Sequence, residues 1–247
     1  MTFRPRAHTR GPVLLVAAVA TLLMVAGCSA PAVGPDATTG ATAEPGAAAA
    51  TPPTGTAIRS LGAGSLGAGF FGADPSPSPE ATITPEPGSW DGVAPAVGYR
   101  VAVISAGHDA ATATLTAAVS DWAKRAGAEL QVLTASNNDE VVARLADAVA
   151  TTPDLVIGAG DGVVDMFARV TPQRLEQQFL IIGAEVPEPT DNVTSVIWPG
   201  ATFRGTGLVT AGALEPASVT SARAADAITA GVANILRGKP GIVLRLP

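Results

Sequence analysis

Residues 99–247 alternate between short apolar runs and segments in which apolar residues recur every three or four positions. The apolar runs are short and rich in β-branched residues, which predicts buried strands. They occupy residues 99–104, 130–133, 154–157, 179–182, 193–198 and 242–246. After Asp109, the residues Leu115, Val119 and Trp122 recur with helical spacing and predict an amphipathic helix.

Capping and breaking residues mark the other predicted helices. Asn137 and Glu140 have the spacing of a capping box and open the second helix. The longest predicted helix covers residues 221–237 and stops at a glycine that is followed two positions later by proline. The remaining predicted helical segments are a helix after residue 162, a short turn with Thr171 as its cap, and a glycine-rich stretch at 201–214.

Continuous apolar strands that alternate with amphipathic helices predict a mostly parallel sheet covered by helices on both faces. Right-handed crossovers then favour the flavodoxin-like strand order 2-1-3-4-5, with a C-terminal strand added at a position that the sequence leaves open. The sequence therefore predicts a single three-layer α/β domain over residues 98–247, a length that suits one domain.

The N-terminal segment, residues 1–27, has the pattern of a secretory leader. Three arginines precede an apolar run at 13–25, and small residues lead to Cys28, the only cysteine of the chain. This arrangement predicts a bacterial lipobox, in which the Cys28 thiol receives diacylglycerol after the leader is removed. An ordinary signal peptide or a signal anchor is the alternative, although the apolar run is shorter than the roughly 20 residues of a membrane span.

Residues 28–95 are rich in Ala, Pro, Gly and Thr and show no apolar periodicity. Closely spaced prolines, as in 75–79 and 85–87, argue against a helix or a central strand there. The segment is predicted to be a disordered tether with a mean reach on the order of 45 Å. Together with the lipid anchor, it places the domain on the extracytoplasmic face of the cell membrane.

The charge balance argues against one class of partner. The leader contains three basic and no acidic residues, so residues 28–247 hold 12 Lys and Arg against 21 Asp and Glu, a formal charge of −9. An acidic surface does not neutralise phosphates, which argues against a nucleic-acid partner. With Cys28 acylated, the mature chain has no thiol for metal binding, and the single histidine His108 does not make a metal site. We expect no metal and no cofactor.

In a sheet of the predicted order, ligands bind beyond the carboxyl ends of the strands, where strands one and three lie side by side. The candidate ligand-binding residues at these ends are Ser105, His108, Asp109, Gly160, Asp161 and Trp198. The aspartates suit hydroxyl groups such as those of a ribose, and the tryptophan suits stacking on a ring. The alternatives are structural: helix caps for the aspartates, a tight turn for the glycine and core packing for the tryptophan.

Known catalytic motifs are not found in the sequence. The turn at 158–162 is followed by Val163 where a dinucleotide fingerprint needs glycine, and it lacks the Lys-Ser or Lys-Thr of a phosphate loop. Ser105, His108 and Asp109 include the residue types of a hydrolytic triad, but such close neighbours point in different directions and no G-x-S-x-G elbow is present. We therefore expect no catalytic residues.

Four segments together form a familiar pattern: 153–158 (PDLVIG), 179–183 (FLIIG), 191–196 (DNVTSV) and the closing helix at 224–240. They resemble the basic membrane protein family, lipoproteins of the type 1 periplasmic-binding-protein superfamily. Its members are substrate-binding components of importers, several of them for purine nucleosides. The resemblance implies a non-enzymatic solute-binding or solute-sensing lipoprotein. It implies as partners a small polar solute such as a nucleoside, and an ABC permease.

The chain departs from that family's pattern. Family members clamp the ligand between two lobes, whereas this chain has room for one, with the second missing between residues 213 and 218. The family's Asn-Asp-Lys-Ser-Phe-Asn motif is reduced to GHDAAT at 107–112, where only Asp109 matches. The family's aspartate after strand four is replaced by GAE at 183–185. The alternative function is a ligand-free interaction or scaffold lipoprotein of the cell envelope, and a hydrolase that depends on His108 is a third hypothesis.

Overall fold

The computed structural model describes residues 62–201 and 214–247. The leader, Cys28 and most of the glycine-rich stretch predicted to be helical at 201–214 lie outside the described residues. Within the described ranges, no helix combines the length and the apolar character that a membrane crossing requires.

The centre of the fold is a sheet of seven strands whose pairings are all parallel. Its strand order is β2-β9-β8-β7-β6-β4-β5. These strands are β2 (Thr82–Ile83), β4 (Arg100–Ala106), β5 (Glu129–Ala135), β6 (Leu155–Ala159), β7 (Phe179–Ile182), β8 (Val193–Ile197) and β9 (Val243–Arg245). The order 2-1-3-4-5 predicted for β4 to β8 is confirmed, and the C-terminal strand β9 extends the sheet beside β8.

In the described ranges, four helices cover the two faces of this sheet. They are α1 (Ala110–Ala126), α2 (Asn138–Ala150), α3 (Val164–Val170) and α4 (Ser221–Leu236). The apolar residues of α1 and α4 belong to one core cluster, and those of α2 and α3 belong to a second cluster on the opposite side. The predicted three-layer α/β architecture is therefore confirmed. The described residues also contain three 3₁₀ turns. One follows β6 (Asp161–Val163), one follows α3 (Thr171–Gln173) and one precedes α4 (Pro216–Ser218).

The capping residues act at the helix starts as their spacing predicts. The Asn137 side chain accepts a hydrogen bond from the backbone N–H of Glu140 at 2.9 Å. The Glu140 carboxylate accepts one in return from the N–H of Ser136 at 2.8 Å, one residue before the cap. Thr171, predicted as a cap, is instead the first residue of its 3₁₀ turn, with no side-chain capping bond.

The prediction of a disordered tether is wrong for residues 62–95, which form part of the fold. In this N-terminal arm, β1 (Gly62–Gly64) pairs antiparallel with β3 (Val93–Pro95), and β2 pairs with β9 at the sheet edge. Phe70 and Trp90 are 1% and 3% exposed and belong to the same core cluster as α1 and α4. Prolines and glycines remove apolar periodicity but leave room for isolated aromatic anchors, which bury large apolar areas. Residues 28–61 lie outside the described part.

Candidate functional site

The turns that follow β4 and β6 meet at the carboxyl edge of the sheet. Ser105 pairs in register with Ala159, so the two strands end side by side. Beyond them the backbones approach closely: a Cβ placed on Gly162 would lie 2.8 Å from the carbonyl oxygen of Ala106. The two segments that the sequence selected are therefore brought together at the switch point between strands one and three.

The residues after β4 differ in accessibility. Ser105 is still within the strand and only 3% exposed, whereas His108 and Asp109 are exposed in the turn. Gly107 has φ +100°, a backbone conformation that favours glycine, and it lets the chain leave the strand for α1. His108 and Asp109 are thus the predicted residues that are exposed to a ligand, and Ser105 is a core position.

Asp109 is the N-cap of α1. Its Oδ1 accepts a hydrogen bond from the backbone N–H of Thr112 at 2.9 Å, and its Oδ2 accepts one from the Thr112 hydroxyl at 2.7 Å. These bonds to Thr112 favour the ionised form and lower the pKa of the Asp109 carboxyl. The helix-cap interpretation is therefore confirmed for Asp109, and both carboxylate oxygens are already engaged by the protein.

Gly160 makes the tight turn after β6. Its φ is +83°, and its N–H donates to the carbonyl oxygen of Ile182 at the end of β7 at 2.9 Å. A Cβ at this position would lie 3.6 Å from the Thr112 hydroxyl oxygen, so the turn also lies against the first turn of α1. The glycine serves the turn, as the structural alternative predicted.

Asp161 holds a segment that returns from far along the chain. Its Oδ2 accepts a hydrogen bond from the backbone N–H of Leu214 at 3.2 Å. Leu214 is 8% exposed and belongs to the core cluster that contains α1 and α4. This contact joins residues that are 53 positions apart, so no local sequence pattern predicts it. From the sequence alone, Asp161 is equally consistent with a helix cap and with a ligand contact.

Trp198 packs in the core at the end of β8. It is 3% exposed, and its indole Nε1 donates to the Ser218 hydroxyl at 3.1 Å. Its ring also fills the space above Gly183, where a Cβ would lie 3.3 Å from Cη2 of the tryptophan. In this conformation the indole N–H is hydrogen-bonded to Ser218 and the ring packs against protein. Trp198 is therefore a core residue, as the structural alternative predicted.

Glu185 is an acidic residue at this edge that was not among the candidates. It is 8% exposed, and burial raises the pKa of its carboxyl to about 7, against a smaller opposing effect of Arg245 on β9. The sequence signal was its place in GAE at 183–185, between apolar residues and directly after a strand. Perturbed carboxyls near strand ends are candidates for functional groups.

The electrostatics of this edge restrict the ligands that it suits. Asp109 and Asp161 follow β4 and β6, so the two turns at the edge each carry a carboxylate, whereas Glu185 after β7 is buried. Such an edge repels phosphate and favours hydroxyl or amine groups. Within the described ranges, no group of three or more His, Cys, Asp and Glu residues is arranged to hold a metal ion.

A separate groove lies away from the predicted site residues. It is an open groove of about 430 Å³ between α1 and α4, and none of its lining residues is a predicted site residue. They are Ala113, Thr114, Ala117, Ala118, Asp121, Arg125, Ser221 and Ala225. Because this groove lies between two helices and not at the strand ends, where open α/β sheets bind their ligands, we place the candidate site at the carboxyl edge instead.

Comparison with known proteins gives distant structural similarity. No protein-family model matches the chain, and no curated protein does. A solute-binding protein of an ABC transporter from Aeropyrum pernix K1 is similar at 19% identity and a TM-score of 0.36, over 41% of this chain and 29% of that protein. One from Conexibacter woesei DSM 14684 gives 20% identity and a TM-score of 0.34, over 42% and 35%. A 1,3-propanediol oxidoreductase gives 12% and 0.30, over 68% and 44%. The chain spans less than half the length of each of these proteins.

Proposed function

We propose that this protein is a lipid-anchored, extracytoplasmic solute-binding or solute-sensing lipoprotein, related to the basic membrane protein family and reduced to one lobe of the type 1 periplasmic-binding fold. It acts without catalysis. The observation that carries the proposal is the meeting of the β4 and β6 turns at the carboxyl edge of a parallel sheet with the order 2-1-3-4-5. Open α/β sheets bind ligands at this switch point.

The proposed ligand is a small polar solute rich in hydroxyl groups, such as a nucleoside. The acidic edge and the exposed His108 support this class, and the resemblance of residues 153–158 and 191–196 to nucleoside-binding lipoproteins points the same way. One lobe covers less of a small molecule than the 70–90% that a closed pocket buries, so we expect weak binding.

Calorimetric titration with a panel of nucleosides and sugars tests the ligand proposal. We expect saturable heat for at least one nucleoside, and reduced affinity for the His108→Ala variant with an unchanged melting temperature. The absence of binding at millimolar ligand, for every oligomeric form that the protein adopts, would overturn it.

The proposed anchor is the acylated Cys28. Metabolic labelling with a radioactive or clickable palmitate, followed by membrane fractionation, tests it. We expect label and membrane association in the wild type and neither in Cys28→Ser. An unlabelled wild-type protein that is released into the medium would contradict the anchor while leaving the ligand proposal open to its own test.

A ligand-free interaction or scaffold lipoprotein is the second candidate function. It is favoured by the internal bonding of the predicted site: both Asp109 oxygens bind Thr112, and the Trp198 indole binds Ser218. Crosslinking in intact cells separates the two. Recovery of an ABC permease supports solute binding, and recovery of cell-wall or signalling proteins supports the scaffold.

A further inference from the structure

The connection between β7 and β8, residues 183–192, carries a carboxylic acid inside the protein. Glu185 is 8% exposed, and its neighbours Ala184 and Val186 are 0% and 1% exposed. Its Oε2 is buried and has no hydrogen-bond partner among the described residues. An ionised carboxylate without a partner is costly to bury, so this position accommodates the neutral acid better than the anion.

The charges around Glu185 do not compensate its burial. Arg245 on β9 is exposed and attracts the carboxylate from a distance, without an ion pair between the two in the described structure. On the connection itself, the acids Glu188 and Asp191 are exposed. The facing residues of β8 are uncharged, with Val196 bridging to Ala184. Burial therefore outweighs the single favourable charge, consistent with a carboxyl pKa of about 7.

Two backbone contacts join the start of this connection to β8, and the side chains of Ala184 and Val186 pack in the core cluster of α2 and α3. Gly183 donates its N–H to the carbonyl oxygen of Val196 at 2.9 Å, and Ala184 forms an isolated bridge to the same residue. No helix follows β7, and the chain from 183 to 188 belongs to no helix and to no strand longer than the Ala184 bridge. The far end of the connection is held separately by the hydrogen bonds of Asn192. A charge that appears at Glu185 would act directly on these contacts.

We propose that residues 183–188 form a pH-dependent latch, packed over the end of β8 while Glu185 is protonated and released from the sheet edge when Glu185 loses its proton. The native chain binds this proton more tightly than the unfolded chain does. The stabilising effect is therefore complete below the ordinary pKa of 4.5 and is lost as the pH rises to about 7. The latch acts whether or not a solute binds, and so goes beyond the proposed function.

Hydrogen exchange of the full-length chain tests the latch. Wild type, Glu185→Gln and Glu188→Gln are compared with one another at pH 4.0 and again at pH 8.5, so that the intrinsic pH dependence of exchange cancels. At pH 8.5 we expect peptides covering 183–188 to exchange at least about tenfold faster in the wild type than in Glu185→Gln. At pH 4.0, below the ordinary pKa of 4.5, we expect nearly equal rates, and Glu188→Gln should follow the wild type at both values.

The proposal fails if Glu185→Gln and the wild type exchange equally at pH 8.5, or if Glu188→Gln slows exchange as much. A second variant guards against misfolding of the first. Arg245→Gln removes the attracting charge, so it should raise the pH at which the connection opens, whereas Arg245→Lys should leave it near the wild-type value. An unchanged midpoint in Arg245→Gln would also overturn the assignment of Glu185 as the switching group.

Discussion

Arg237 and Gly64 are joined by a hydrogen bond across 173 residues of sequence: the guanidinium Nη1 donates to the glycine carbonyl oxygen at 2.7 Å. The second nitrogen, Nη2, donates to the carbonyl oxygen of Gly62 at 3.2 Å. One side chain at the end of α4 thus holds β1 of the N-terminal arm. A Cβ on Gly62 would lie 2.8 Å from Cδ1 of Leu236, so the arm also lies directly on the helix.

We predict that removing the aromatic anchor of this arm unfolds more than the arm. Phe70→Ala deletes a ring that is 1% exposed within the main core cluster, and such deletions cost about 3–5 kcal/mol. The neighbouring Phe71 is partly buried and supplies the matched control. Urea unfolding of both variants should show a clearly larger loss of unfolding free energy for Phe70→Ala. Equal losses would mean that the arm is not anchored by Phe70.

We predict that Asn192 is a main structural tie behind the edge. Its Nδ2 donates to the carbonyl oxygens of Thr171, Arg174 and Gln177 at 3.1, 2.9 and 3.0 Å, and it is 2% exposed. Asn192→Asp replaces these donors by a buried acceptor and should lower the unfolding free energy by at least about 3 kcal/mol. Its exposed neighbour offers the control, since Asp191→Asn should change stability by less than about 0.5 kcal/mol.

We predict that Asp109→Asn retains the helix cap of α1 while removing the carboxylate, so that its effect on ligand binding can be measured without a loss of stability. Asparagine caps a helix as well as aspartate, so Asp109→Asn should keep the melting temperature, whereas Asp109→Ala should cost about 1 kcal/mol. The lowered pKa of Asp109 adds a pH signature: its contribution is present above the ordinary pKa and is lost as the pH falls through the lowered value. Asp109→Asn should remove that part of the acid dependence. If Asp109→Asn binds a solute as the wild type does, its carboxylate takes no part in recognition.

We predict that alanine, normally the better helix former, destabilises α4 at Gly231. A Cβ there would lie 2.4 Å from Cδ1 of Leu180 and 3.1 Å from Cγ2 of Val196, both of them fully buried. Gly231→Ala should therefore lower the unfolding free energy by about 1–3 kcal/mol. In the background of Leu180→Ala the same change should cost less, because the clash is relieved. An equal cost in both backgrounds would locate the strain elsewhere.

Much of the fold was predictable because its signals are local. The strand at 179–182 was predicted with its observed bounds, and Asn137 caps α2 as its spacing indicated. Of the candidate site, the sequence located the converging turns after β4 and β6. It could not decide between bonding within the protein and ligand contact. Asp161 meets Leu214, and Trp198 meets Ser218, through contacts that exist only after the chain has folded.

The sequence by itself determined the parallel α/β domain, because apolar periodicity and capping residues act over a few positions and can therefore be recognised in the sequence. It also determined the acidic balance of the mature chain and the leader pattern that ends at Cys28. Only the tertiary structure decided that residues 62–95 belong to the fold and that Glu185 is buried, with an Oε2 that has no hydrogen-bond partner among the described residues. Both outcomes depend on what distant strands and helices place against a segment, and burial of one aromatic ring or one carboxyl leaves no periodic trace in the chain.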